Sequence, residues 1–179
     1  MKILVMESSP HKHGSSNLLA AEFIRGATEA GHQTQVFDVA RSDLRPCLGC
    51  DACGMSGSCV QKDGMEELRR RILASDMVVF VTPLYYFGMS AQLKTAINRF
   101  YSFNDELSAK HLKTALIAAA WDSNDWTMHD LAGHYQTLCR YLHFNDQGML
   151  LGTGCGTVSM TQSSRFPKLA YALGKSLTE

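Results

Sequence analysis

Met77-Val78-Val79-Phe80-Val81-Thr82-Pro83-Leu84-Tyr85-Tyr86-Phe87-Gly88-Met89-Ser90 is the stretch that decides the fold. It opens as an unbroken apolar run, passes a proline, and ends in three adjacent aromatics before a glycine and a serine. A run that is apolar at every position belongs to a strand buried on both faces, as in parallel sheets covered by helices. Ile3-Leu4-Val5-Met6 and Leu116-Ile117-Ala118 read the same way. The expected strands are residues 2–6, 33–39, 77–82, 114–120 and 148–152.

Between the runs, apolar residues recur at helical spacing. Leu19, Phe23, Ala27 and Ala30 form one stripe, and Met65, Leu68, Ile72 and Leu73 another. Leu93, Ile97, Phe100 and Tyr101 make a third. Met128, Leu131, Tyr135, Leu138 and Leu142 make a fourth, with Leu169, Leu173 and Leu177 a last. The stripes are read as core. Five strands alternating with five helices predict an α/β fold in which one open, doubly wound parallel sheet spans residues 1–179 as a single domain. Such sheets bind ligands at the carboxyl ends of their strands, so the loops after strands matter most.

The first of these loops is Glu7-Ser8-Ser9-Pro10-His11-Lys12-His13-Gly14-Ser15-Ser16-Asn17. Hydroxyls, an amide and a glycine stand before an expected helix. A helix start presents unpaired N–H groups and partial positive charge, which suits a phosphate. Plain capping by Ser and Asn explains the same residues. There is no G-x-G-x-x-G for a dinucleotide and no G-K-[ST] of a P-loop. After strand 3, Pro83 to Gly88 offers flat apolar faces suited to a planar ring system, against packing beneath the loop as the alternative. Ser90 is placed to cap the next helix. Gly152-Thr153-Gly154-Cys155-Gly156 reads as a glycine-rich turn.

The formal net charge is zero, which gives no basic field for nucleic acid and no strongly acidic face for docking by charge. No apolar stretch reaches the length of a membrane span, and the run 3–6 is too short for a signal-peptide core. The expectation is a cytoplasmic protein with reduced thiols. Cys47-x2-Cys50-x2-Cys53-x5-Cys59 places four of the six cysteines in one stretch. Four thiolates suit a [4Fe–4S] cluster first, with free or oxidised thiols close behind, and tetrahedral zinc or redox chemistry by the cysteines themselves as further readings. The seven histidines form no H-E-x-x-H or facial triad. Asp122 and Asp125 with Trp121 and Trp126 stand at a ring edge or cap a loop, and 102–113 reads as a solvated connection or a subunit contact.

The two loops in this order, Ser9-Pro10 to Asn17 and Thr82 to Lys94, resemble those of the NAD(P)H-dependent FMN reductase superfamily. Pro46, the cysteine block and Asp63-Gly64-Met65 are similar to its iron–sulfur flavoprotein branch. The resemblance covers nearly the whole chain. It implies a flavodoxin-like sheet of order 2-1-3-4-5 and FMN as cofactor. On that analogy Ser9, His11, Gly14, Ser15, Ser16 and Asn17 meet the phosphate. Pro83, Leu84, Tyr85, Tyr86, Phe87 and Gly88 meet the isoalloxazine ring, and Trp121 closes its other side. Cys47, Cys50, Cys53 and Cys59 correspond to the cluster-binding cysteines. Three departures stand out: Ser8 where glycine is usual, His11 where a basic residue is usual, and Asn98-Arg99 for Asp-Arg.

The activity so implied takes electrons from NADH or NADPH and passes them to a quinone, a nitro or azo compound, free flavin or a redox protein. No acid–base residue is named, because the flavin carries the chemistry. Homodimers or homotetramers are expected. The rivals are a non-enzymatic electron carrier holding FMN and a [4Fe–4S] cluster, and a flavin-binding sensor without turnover.

Overall fold

The computed structural model describes residues 1–178. Five strands form the parallel sheet: β1 (Lys2–Glu7), β2 (Gln33–Asp38), β3 (Met77–Tyr85), β5 (Lys113–Ala119) and β6 (Asn145–Gly152). Their spatial order is β2-β1-β3-β5-β6, the 2-1-3-4-5 order expected for five long strands. Side chains alternate across the sheet. Leu4, Met6, Val78, Phe80 and Leu116 face α2 (Met65–Leu73), α3 (Ala91–Asn98) and α5 (His129–Tyr141). Ile3, Val5, Val79, Val81 and Ile117 face α1 (Ser15–Glu29) and α7 (Phe166–Lys175). Both faces of the central strands are therefore covered, which is why β1, β3 and β5 are largely apolar, while the edge strands β2 and β6 carry polar residues.

The helices α1 and α7 touch backbone to backbone. A Cβ added at Gly26 would lie 2.1 Å from the Tyr171 carbonyl oxygen, and one at Gly174 would lie 2.2 Å from that of Phe23. Only glycine fits at either position.

The structure corrects the expected boundaries in several places. A sixth strand, β4 (Gly88–Met89), folds back on β3 as a hairpin in which Tyr85 pairs with Gly88. The two residues between them, Tyr86 and Phe87, have φ of 44° and 63°. A two-residue hairpin turn favours that left-handed pair, a conformation Asn-Gly adopts far more readily than two aromatics. The third apolar stripe does not continue as one helix. It passes at Arg99–Phe103 into a 3-10 turn, and Tyr101 emerges at the surface. The segment 102–113 is not a solvated connection: it contains α4 (Asn104–Ala109), and Ser102, Phe103, Leu107 and Leu112 are buried. β6 starts three residues before the expected 148, and its register with β5 shifts between Thr114 and Leu116. Asp146 holds that irregularity, accepting from the Tyr135 hydroxyl and the Gly148 N–H, each at 2.8 Å.

Candidate functional site

The carboxyl ends of β1, β3 and β5 open into one cleft of about 570 Å³, a size ordinary for a small-ligand site. The neighbouring residues Ser8, Thr82 and Ser90, outside the lining itself, tie the strand ends together in a buried hydroxyl network. The Ser8 hydroxyl donates to the Val81 carbonyl at 2.7 Å, and the Ser90 hydroxyl donates to Ser8 Oγ at 2.9 Å. The Ser90 N–H donates to Thr82 Oγ1 at 2.9 Å, while Ser90 Oγ caps α3 by accepting from Leu93. Ser8, the residue that departs from the usual glycine, thus joins the ends of β1 and β3 to the start of α3.

At one end of the cleft lie Ser9, His11, His13, Gly14, Ser15 and Ser16. Gly14 is the N-cap of α1, and no side chain caps the helix. The first-turn N–H groups of Ser15, Ser16 and Asn17 have no intrahelical acceptor, as at every helix start. Between capping and anion binding, the absence of a side-chain cap favours an open anion site. The loop holds its shape without using those groups: Gly14 N–H donates to the His11 carbonyl at 2.9 Å, and Ser9 Oγ accepts from His11 N–H at 3.2 Å. Asn17 lies outside the cleft lining, where Nδ2 donates to the Lys12 carbonyl at 3.2 Å. A Cβ on Gly14 would press to 3.1 Å against His11.

The other wall is Pro83, Leu84 and Tyr85, with Ala119 and Trp121. Tyr86, Phe87 and Gly88 lie outside the lining. Tyr86 is fully exposed, and Phe87 packs on Trp126 with ring centroids 5.3 Å apart. Trp121 is 69% exposed although it borders the cleft, and its indole lies so close to Gly156 that a Cβ there would be 2.4 Å from the ring. Asp122 builds the loop that carries both tryptophans. It accepts from the Thr127 hydroxyl at 2.6 Å, from Asn124 Nδ2 and from the Ser123 N–H, and these bonds hold its pKa down at about 2. Its role is the loop cap. Asp125 does not line the cleft.

The sequence reading missed Cys155, Gly156, Thr157 and Val158, which complete the lining. The signal was available: they follow the last strand, where the strand-end rule already pointed. The turn is pinned by Cys155 N–H to the Ala120 carbonyl at 2.7 Å and Gly154 N–H to the Asp122 carbonyl at 3.1 Å.

The cysteine loop is separate from the cleft. Cys47 and Cys50 are exposed, Cys53 and Cys59 half-buried. Among the described residues, no three His, Cys, Asp or Glu side chains are arranged to hold a metal ion. The donor set suits iron–sulfur or zinc chemistry, and the loop must close further before four thiols can share a ligand. At its base Asp63 pairs with Arg99. Burial raises the carboxyl's pKa, but hydrogen bonds from Arg99, Arg45 and Met65 outweigh it and hold Asp63 below its usual range.

A doubly wound sheet whose strand ends join an uncapped helix start to an apolar, aromatic wall defines the flavodoxin-like class. The chain belongs to the NADPH-dependent FMN reductase family, whose sequence pattern matches residues 1–148. It is similar to an iron–sulfur flavoprotein of Methanocaldococcus jannaschii, 32% identical over 99 residues, covering 55% of this chain and 51% of that protein. The chain thus spans about half the length of the iron–sulfur flavoproteins it matches. YwqN of Bacillus subtilis, named provisionally as an NAD(P)H-dependent FMN-containing oxidoreductase, is 26% identical over 164 residues, 86% of each chain. In fold the chain resembles an NAD(P)H:quinone oxidoreductase from Methanothermobacter marburgensis, with TM-score 0.79 and 20% identity over 100% of this chain and 96% of that one. No helix among the described residues is long and apolar enough to cross a membrane.

Proposed function

We propose that the protein is an FMN-dependent NAD(P)H oxidoreductase that loads FMN into this cleft. One observation carries the reading: an uncapped helix start and an aromatic-lined apolar wall share one cleft of about 570 Å³. Ser9, His11, Gly14, Ser15 and Ser16 are the residues to hold the phosphate. Pro83, Leu84, Tyr85 and Trp121 are those to hold the ring, with Gly156, Thr157 and Val158 along its border. Asn17 supports the phosphate loop from behind. Tyr86, Phe87 and Gly88 shape the rim.

Bound FMN supplies hydride and single-electron chemistry. The protein's residues bind it, orient it and limit water at the ring. The half-exposed Tyr85 and the more exposed Trp121 leave the mouth open to flat reactants. The electron donor is NADH or NADPH, and the acceptor a quinone, a nitro or azo compound, or free flavin. One site serving donor and acceptor in turn predicts ping-pong kinetics. The test is steady-state oxidation of each nicotinamide with each acceptor class by FMN-loaded protein. Parallel double-reciprocal lines support the proposal; absence of turnover with every pair contradicts it.

The match to iron–sulfur flavoproteins favours a second reading, in which the cysteine loop also binds a [4Fe–4S] cluster and the protein passes single electrons to a redox partner. Anaerobic reconstitution should then give about four irons and four sulfides per chain. None of either would leave the flavin reading alone.

A further inference from the structure

The chain leaves the sheet after β2 and returns to regular structure only at α2, and the four clustered cysteines lie in this excursion. Its two ends meet at one point. Asp63 accepts from the Arg45 N–H at 3.0 Å and the Met65 N–H at 3.1 Å. Gly64 N–H donates to the Asp43 carbonyl, and Gln61 Nε2 donates to the Pro46 carbonyl, each at 2.8 Å. One side chain from elsewhere enters this junction. Arg99, at the start of the 3-10 turn, donates to both Asp63 oxygens, at 2.7 and 3.1 Å, and to the Arg45 carbonyl at 2.9 Å. The Arg99 side chain is 1% exposed and that of Asp63 0%. The Cys59 thiol lies beside the guanidinium, whose Nε–H has no partner. The same segment also grips the loop further out. The Tyr101 hydroxyl donates to Asp51 Oδ1 at 2.7 Å, and Asp105 N–H donates to the Met55 carbonyl at 3.4 Å.

Burying two charges returns little net stability, and apolar residues of the same volume often serve as well. What a two-pronged guanidinium–carboxylate pair adds is direction. Here it reaches both ends of the excursion at once, since Asp63 belongs to the returning limb of the loop and Arg45 to the departing one. Between them no helix or strand fixes the backbone. We propose that Arg99 and Asp63 are positioning residues for the thiol loop. Their pair fixes the base from which Cys47, Cys50, Cys53 and Cys59 are presented, while among the described residues the crown is held only by the exposed Tyr101–Asp51 bond and the long Asp105–Met55 bond. The anchor serves any chemistry of these thiols, iron–sulfur ligation included, and does not depend on the cluster. It is independent of the FMN cleft, which neither residue lines.

The test is maleimide labelling of the reduced full chain, followed cysteine by cysteine by mass spectrometry. Arg99→Met alone strands a buried carboxylate, so the informative protein is the double variant Asp63→Asn/Arg99→Met, which leaves no buried charge unpaired. Cys139 and Cys155 are buried and report whether the fold persists. The expected result is labelling of Cys53 and Cys59 accelerated by about tenfold or more, through local opening, with Cys139 and Cys155 still protected and FMN affinity unchanged. Arg99→Lys keeps the charge but loses the fork, and should fall between wild type and the double variant. Where wild type takes up iron and sulfide anaerobically, the double variant should take up less than half as much. Where wild type takes up neither, the cluster reading fails and the labelling still decides the anchor. Wild-type labelling rates at Cys53 and Cys59 in the folded double variant would overturn the proposal. So would equal acceleration at all six cysteines, or a parallel loss of FMN affinity.

Discussion

Two candidate sites leave the same carboxyl edge of the sheet, and they are held in opposite ways. The cleft is built from short loops whose first residues are still part of the sheet's bonding. Ser8, Thr82 and Ser90 are buried and bonded to one another and to the strands, α1 starts at Ser15 after a short turn, and α3 starts directly after Ser90. The thiol loop runs through residues 39–64 without helix or strand, and its base is gathered around one buried ion pair. The difference separates a binding site preformed by rigid elements from a chemical group presented on a tether. The first should tolerate little change in shape, the second little change in its anchor.

The largest effect should come from the anchor. Arg99→Met leaves Asp63 buried and unpaired, which should cost about 3–5 kcal/mol in urea unfolding. Adding Asp63→Asn should recover much of that loss. A drop below 1 kcal/mol for the single change would show that the pair is not the holding point. In the cleft, Ser15→Asp places a negative charge at the helix start. It should weaken FMN binding by about 1–3 kcal/mol through lost hydrogen bonding and repulsion, with far-UV circular dichroism unchanged. Unchanged affinity would make that loop a helix start and nothing more. Gly156→Ala drives a methyl into the Trp121 indole and should cost about 1–2 kcal/mol of FMN affinity, read by flavin fluorescence titration. Neither cleft change should alter labelling of Cys53 or Cys59; a change there would join the two regions.

The smallest effect concerns acid. Folding lowers the Asp122 carboxyl from 3.8 to about 2, first through the Thr127 hydrogen bond and then through Asn124. A lowered carboxyl contributes stability that is complete above its unfolded pKa and is lost as pH falls through the folded value. The emission of Trp121 and Trp126 should therefore shift as pH drops from about 4 toward 2, reporting loosening of their loop. Asp122→Asn should remove much of that acid dependence. An identical acid profile in the variant would take the carboxylate out of the account.

The sheet was legible because β1, β3 and β5 are apolar on both faces, a pattern that few other architectures produce. In the loop after β1 the sequence left capping and phosphate binding open; the N-cap is Gly14 and no side chain caps α1, so the capping reading of Ser15, Ser16 and Asn17 does not hold. What sequence could not show is where a loop turns its side chains. Tyr86 and Phe87 read as ring-binding aromatics alongside Tyr85, but a left-handed hairpin turn carries them to the rim. Gly156 gave no chemical signal, since its importance lies in the space it leaves for Trp121. Arg99 and Asp63 stand 36 positions apart, and no periodicity connects a residue at a helix end to the base of a distant loop.

We propose that the cleft at the ends of β1, β3 and β5 holds FMN by its phosphate and its ring together. The most direct measurement is titration of flavin-free protein with FMN and with riboflavin, which lacks the phosphate, in wild type and Ser15→Asp. The account predicts about one FMN per chain, much weaker riboflavin binding, and a variant whose preference for FMN over riboflavin is largely lost, since the phosphate is what the uncapped helix start recognises. Equal binding of FMN and riboflavin by the wild type, or no flavin bound at all, would contradict it.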